Sequence, residues 1–137
     1  MHTLFTYGTL QCDDIMHRVA GQCRKVSSAL LPGYCCLTVK NETYPGIMPA
    51  EGCSVPGCVY EGISDAALER LDRFEGEMYR RVMVTVVLDD QSTQNVFAYI
   101  VKNKFRDSLS DEIWDLESFL SEGKTAFLAH YFGFCSL

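Results

Sequence analysis

The sequence predicts an α+β fold in which strands pair mainly through local turns, as an antiparallel sheet or closed barrel, with one helix inserted among them. Three observations predict it. Apolar, β-branched runs of strand length recur between Pro-Gly and Gly punctuation. The runs "YRRVMVTVVL" (79–88) and "NVFAYIVK" (95–102) flank the polar loop "DDQSTQ", as in an antiparallel hairpin. Helical periodicity is confined to three segments, one of them between strands.

The elements follow in order. "TLFTY" is a short β-branched and aromatic strand ending at Gly8. "DDIMHRVAG" has helical spacing through Ile15, Met16, Val19 and Ala20, with Asp13 as cap and Gly21 as stop. "ALLPGYCCLTV", "GIMPA" and "GCVYEGI" read as strands, punctuated by Pro32-Gly33, Asn41, Pro45-Gly46 and Gly52. Pro56-Gly57 suggests a bulge or a strand beginning. "SDAALERLDRFEG" is a middle helix with Ser64 as N-cap, Asp65 favouring the positive N-terminal end and Gly76 as stop. From "SDEIWDLESFL" to "KTAFLAHYF" the pattern is helical again, with Ile113, Leu116 and Leu120 on one stripe and Gly123 breaking or bending it. No internal repeat or domain boundary interrupts the 137 residues, so a single domain over 1–137 is expected.

Composition excludes several classes. A formal charge of −6 with dispersed basic residues argues against a nucleic-acid surface. No apolar run approaches the ~20 residues that span a bilayer and no secretory signal pattern is present, so neither a membrane nor a polyanion is an expected partner, and the expected location is cytoplasmic. The seven cysteines form no C-x-x-C and no Cys/His cluster at zinc spacing. They read as buried or incidental thiols of a reducing compartment, and no metal is expected. Oligomeric state is left open.

The chemistry concentrates in "RLDRFEGEMYRR". At 100° per residue, with Leu68 as origin, Leu71 falls at roughly 300°, Phe74 at roughly 240° and Ala67 at roughly 260°. Glu75, at roughly 340°, overlaps this apolar stripe, whereas Glu69, Arg70, Asp72 and Arg73 fall on the solvated arc. Burial and the negative end of the helix dipole both disfavour the ionised carboxyl, so its pKa is expected to rise, as suits a group that transfers protons. The alternative is that the helix ends one residue early and Glu75 turns into solvent or pairs with Arg80 or Arg81. Glu77, past the helix stop, and Asp72 are the competing acids; both read as solvated.

A second feature is "YGTL" at the end of the first strand. A positive φ at Gly8 would turn the chain just before a helix, so the N–H groups of Gly8, Thr9 and Leu10 would form an anion-binding nest. An ordinary glycine turn is the alternative. Tyr7 and Tyr79 read either as pocket wall or as core packing, and Tyr44 as a residue of the same mouth. His17 and His130 stand in no Ser-His-Asp or Cys-His pattern and read as structural or surface residues.

"LFTYGTL", "LLPGY", "YPGIMPA", "VPGCVYEGI" and "LDRFEGEMYRRV", in this order, resemble the gamma-glutamylcyclotransferase-like family, in particular its AIG2-like and gamma-glutamylamine cyclotransferase branch. The resemblance runs from about Thr3 to Lys102, and "HYFGF" looks like the tails of some bacterial members. It implies a small, mostly antiparallel β-barrel flanked by helices, with a cavity at one end. It implies an enzyme without metal or cofactor that releases 5-oxoproline and a free amine or amino acid from a γ-glutamyl amine or peptide. Glu75 would be the acid/base, and the backbone of Tyr7, Gly8, Thr9 and Leu10, with Tyr79 as wall, would bind the substrate. A non-catalytic binding or interaction module on the same fold is the alternative, and a thiol-dependent redox or metal protein a third reading.

Overall fold

The computed structural model describes residues 1–132, with side chains through residue 129. Five strands close a barrel. β1 (His2–Thr6) pairs antiparallel with β3 (Pro45–Ile63), which pairs antiparallel with β2 (Arg24–Val39); β2 pairs with β4 (Tyr79–Leu88), and β4 with β5 (Thr93–Val101). The ring closes through a parallel contact, Leu4 opposite Phe97, between β1 and β5. The sheet is therefore mixed, with every other pairing antiparallel. A sixth strand, β6 (Leu109–Ile113), adds to the free stretch of β2.

β2 and β3 are longer than the sequence suggests, at 16 and 19 residues. β2 starts at Arg24, not Ala29, and the two strands expected on either side of Gly52 are one. The punctuation bends the ribbon and does not end it: Gly33 (φ +85) and Gly52 (φ +82) sit where the register shifts between Pro32 and Tyr34. Pro56-Gly57 is neither bulge nor strand start; it pairs in mid-strand with Leu30 and Ala29. Pro56 is tolerated because β1 pairing stops at Thr6 opposite Cys58, leaving that side of β3 an edge.

Two cores result. One fills the barrel with alternate residues such as Phe5, Leu31, Ile47, Val55, Val86 and Val96. The other lies between the barrel wall and the helices α1 (Asp13–Ala20) and α2 (Asp65–Glu75). α1 buries Ile15, Met16, Val19 and Ala20 as its spacing predicts, and stops at Gly21. Its N-cap is Cys12; Asp13 instead accepts a hydrogen bond from the buried Tyr60 hydroxyl at 2.5 Å. α2 is capped as expected: the Ser64 side chain accepts from the Ala67 N–H at 3.1 Å, and the Gly76 N–H (φ +79) donates to the Asp72 carbonyl. Arg70 does not merely face solvent. It donates to the carbonyls of Val19 and Ala20, where the C-terminal end of α1 offers unpaired acceptors.

The C-terminal region departs most from expectation. Residues 109–113 form a strand, and Ile113, placed on a helical stripe by its spacing, is 81% exposed. Helix begins only at Leu116, where Asp115 accepts from the Ser118 N–H at 3.1 Å. α3 (Leu116–Ser118) runs through a π-helical turn (Phe119–Gly123) into α4 (Lys124–Phe132). Gly123 ends that turn without interrupting the helix. A Cβ there would lie 3.0 Å from the Thr43 Cβ, so glycine lets the helix press against the β2–β3 connection. The Trp114 indole, donating to the Thr43 carbonyl at 2.8 Å, fastens the same contact. Gly133, Phe134 and Cys135 lie outside the described residues, as do the side chains of His130, Tyr131 and Phe132.

Candidate active site

The two chemical segments of the sequence meet at one end of the barrel. The last turn of α2 delivers Glu75, the end of β1 delivers Tyr7 through Leu10, and the start of β4 delivers Tyr79; all six residues line one cavity of about 150 Å³. Tyr44 lines it too.

Glu75 does not turn into bulk solvent and does not pair with Arg80 or Arg81. It keeps some accessible surface because the cavity itself admits water, yet protein surrounds it. No hydrogen bond or ion pair to its carboxyl is formed among the described residues. Burial, and secondarily the repulsion of nearby Asp72, push its pKa up to about 8. Burial is the stronger cause because a carboxylate without donors loses hydration and gains nothing in exchange.

The Gly8 loop has a different geometry from the expected one. Gly8 has φ −124 and ψ −132, not a positive φ. Glycine is required for another reason: a Cβ at this position would lie 2.7 Å from the Pro45 Cγ, inside contact distance of a rigid ring. The chain then enters a single 3-10 turn, Thr9–Gln11, before α1. That turn is closed by the Gln11 N–H on the Gly8 carbonyl and the Cys12 N–H on the Thr9 carbonyl. No backbone carbonyl among the described residues takes the N–H groups of Gly8, Thr9 or Leu10. Gly8, Thr9 and Leu10 thus line the cavity, but on a different backbone path from the expected nest.

The tyrosines are both wall and scaffold. The Tyr7 hydroxyl donates to the Tyr99 carbonyl at 2.7 Å, and the Tyr79 hydroxyl donates to the Pro45 carbonyl at 2.6 Å. A phenol has one proton. In both tyrosines that proton is committed to the backbone, so the Tyr7 oxygen can act toward the cavity only as an acceptor. Burial, then the neighbouring Tyr79 and Glu75, raise the Tyr7 pKa well above its ordinary value, so it stays a neutral acceptor.

Asp72 is not simply solvated. It accepts two hydrogen bonds from Arg81, at 3.0 and 3.2 Å, and one from the Tyr99 hydroxyl at 2.6 Å. Glu77 does face outward, near Lys102 and Lys104. His17 is exposed on α1, outside the cavity.

Sequence reasoning missed Tyr99, Pro45, Met78 and Phe127 in the cavity wall. Tyr99 was accessible to it: the hairpin register sets Tyr99 opposite Arg81, two positions beyond Tyr79 opposite Val101. Phe127 was not, because its placement depends on the π-helical turn and the glycine contact described above. It stands edge-on to Phe74 and Tyr44, with centroids 6.1 and 6.3 Å away, and walls the cavity with them. Among the described residues, no cluster of His, Cys, Asp and Glu has metal-binding geometry, and no helix is long and apolar enough to cross a membrane.

A family model described as gamma-glutamyl cyclotransferase, AIG2-like, matches residues 4–116. AIG2-like protein B of Arabidopsis thaliana is 37% identical over 118 residues, covering 85% of this chain and 68% of the relative. A second Arabidopsis thaliana protein, known from its solution structure, superposes with a TM-score of 0.71 at 32% identity, covering 95% of this chain and 87% of that one. A structure described as gamma-glutamyl cyclotransferase shares the fold at 19% identity, with a TM-score of 0.67 over 74% of this chain and 67% of that one. By sequence and by architecture, the chain belongs to the AIG2-like gamma-glutamyl cyclotransferase family.

Proposed function

We propose that the protein cyclises γ-glutamyl amines or peptides, releasing 5-oxoproline and a free amine or amino acid. The observation that carries this reading is Glu75: a carboxyl with a raised pKa, unpaired within the described residues, at a cavity also lined by Gly8, Thr9 and Leu10, whose N–H groups no backbone carbonyl among the described residues takes.

The substrate supplies its own nucleophile. The α-nitrogen attacks the γ-carbonyl carbon, a C–N bond closes the five-membered ring, and the bond from that carbon to the leaving nitrogen breaks. No water is consumed. As the lactam N–H forms, one proton leaves the ring nitrogen and ends on the freed amine, which becomes an ammonium. The other, which the α-ammonium (reference pKa of about 8) must lose to attack, is the one the departing nitrogen must gain. Glu75, with its pKa near 8, exchanges that proton with little energetic bias in either direction. The rest is placement: a cavity of about 150 Å³ admits the glutamyl arm folded on itself and leaves the amine portion toward the mouth.

The charge pattern supports an orientation. A lone pair on Tyr7 suits the α-ammonium, whereas the N–H groups of Gly8, Thr9 and Leu10 suit the α-carboxylate or the carbonyl oxygen as charge develops there. The residues invoked need neither metal nor cofactor, and the partner is a small molecule. The free thiols of Cys12, Cys23, Cys35, Cys36, Cys53 and Cys58 suit a reducing, cytoplasmic setting. Assay of 5-oxoproline from a panel of γ-glutamyl amines and dipeptides tests the reading. Turnover of at least one supports it; saturable binding without product by every member would instead indicate a binding module.

A further inference from the structure

Asp72 lies one turn before Glu75 on α2, and i, i+3 side chains on a helix are neighbours, with Cβ atoms about 5–6 Å apart. Two carboxylates at this spacing in the last turn repel each other and oppose the helix dipole. A side chain on a helix surface could escape into water, yet Asp72 is held by two strands. Arg81 of β4 grips both of its oxygens, and Tyr99 of β5 donates to one of them. Arg81 is itself laid over the Phe97 ring at 4.6 Å. With side chains 42% and 28% exposed, the Asp72–Arg81 pair contributes little to stability by itself. The clamp is continuous with the cavity wall, because the Tyr99 carbonyl accepts the Tyr7 proton.

We propose that Asp72 is a positioning residue for the reaction: an anion fixed by Arg81 and Tyr99 one helical turn from Glu75, whose charge strengthens Glu75 as the base. This rests on the cyclisation reading of the cavity. Among the described residues, the other titratable groups that line the cavity with Glu75 are Tyr7 at the end of β1, Tyr44 between β2 and β3, Tyr79 on β4, Tyr99 on β5, and Glu77 beyond α2. The tyrosines are phenols, and Tyr7 and Tyr99 are held neutral by burial. Glu77 is exposed beside Lys102 and Lys104, whose charges offset its own. Among the described residues, Asp72 is thus the fixed charge that acts on Glu75, and Arg81 moderates it. Burial alone would raise the affinity of Glu75 for its proton; Asp72 raises it further. Removing Asp72 and removing Arg81 must therefore act in opposite directions.

The test is a 13C NMR titration of the Glu75 carboxyl in the ligand-free wild type, Asp72→Asn and Arg81→Gln proteins, alongside the pH profile of 5-oxoproline release. The Glu75 midpoint is expected to fall by about one pH unit in Asp72→Asn and to rise in Arg81→Gln. The acidic limb of kcat/KM moves with it in each case. A purely structural Asp72 would change stability or rate while leaving the midpoint in place, and an unmoved midpoint in both variants overturns the proposal. If Asp72→Asn does not fold, Arg81→Gln decides: a midpoint that stays or falls overturns it. Midpoints that shift as expected in a protein that releases no 5-oxoproline would overturn the cyclisation reading and the reaction role, and keep only the charge coupling.

Discussion

The Tyr7 hydroxyl and the Tyr99 backbone carbonyl stand 2.7 Å apart, so the end of β1 is tied to β5 beyond their short parallel contact, and the Tyr7 proton is spent inside the wall. Tyr7→Phe removes the donor and leaves a buried carbonyl without it. The expected result is a folded protein about 1–2 kcal/mol less stable to denaturant, since an unsatisfied buried acceptor costs about that much. The kcat/KM for a γ-glutamyl amine should fall at least about tenfold, a loss of about 1.4 kcal/mol in transition-state stabilisation. Unchanged stability would mean that water replaces the donor.

Gly8 is required by a contact, not by its dihedral angle. Gly8→Ala sets a methyl against the rigid Pro45 ring. Overpacking of this kind costs about 1–3 kcal/mol, and the strain falls on the cavity floor. Thermal denaturation should show the loss, with substrate affinity reduced. Substituting Gly33, whose Cβ would meet nothing within 4 Å but whose φ is +85, tests a backbone effect away from the cavity and should leave affinity intact.

The reaction should have a narrow pH optimum. Productive encounter needs one proton shared between Glu75 and the substrate amine. With Glu75 near 8 and a free α-amine also near 8, kcat/KM is expected to be bell-shaped with its maximum close to pH 8. Initial rates across pH 5 to 10 check this. A plateau extending down to about pH 5 would place the Glu75 pKa near that of an ordinary carboxylate.

Stability should carry the same signature with a definite sign. Glu75 is raised from 4.5 to about 8 on folding. Between those values the folded protein holds a proton that the unfolded chain has released, so stability falls as pH rises through this window and levels off above it. Glu75→Gln removes the effect. Its stability relative to wild type should be near zero at pH 4 and grow to about 2 kcal/mol at pH 8, given about 1.4 kcal/mol per pKa unit and screening by cavity water. Urea denaturation at both pH values measures it. A gain that shrank with rising pH would reverse the assignment.

The sequence was most legible where chemistry and local signals coincide. Ser64 and Gly76 bound α2, the helical wheel turned Glu75 inward, and the hairpin of β4 and β5 follows directly from two apolar runs and a polar turn. It was least legible where long-range contacts override local pattern. Gly52 and Pro56 look like strand ends, but cross-strand pairing carries β3 through both. Ile113 keeps helical spacing with Leu116, yet pairing with Leu37 makes it extended. Gly8 was rightly singled out for the wrong reason, since its neighbour Pro45 arrives from 37 residues away in sequence. Asp72 looked like a solvated acid because nothing local to α2 reveals Arg81 and Tyr99 reaching it from the sheet.

The most direct measurement is 5-oxoproline release from a γ-glutamyl amine by the wild type and by Glu75→Gln, with substrate binding and thermal stability followed in parallel. A loss of about a thousandfold in kcat, within the range of a general acid–base group, with folding and binding kept, is the predicted result. A Glu75→Gln protein as active as the wild type would contradict it.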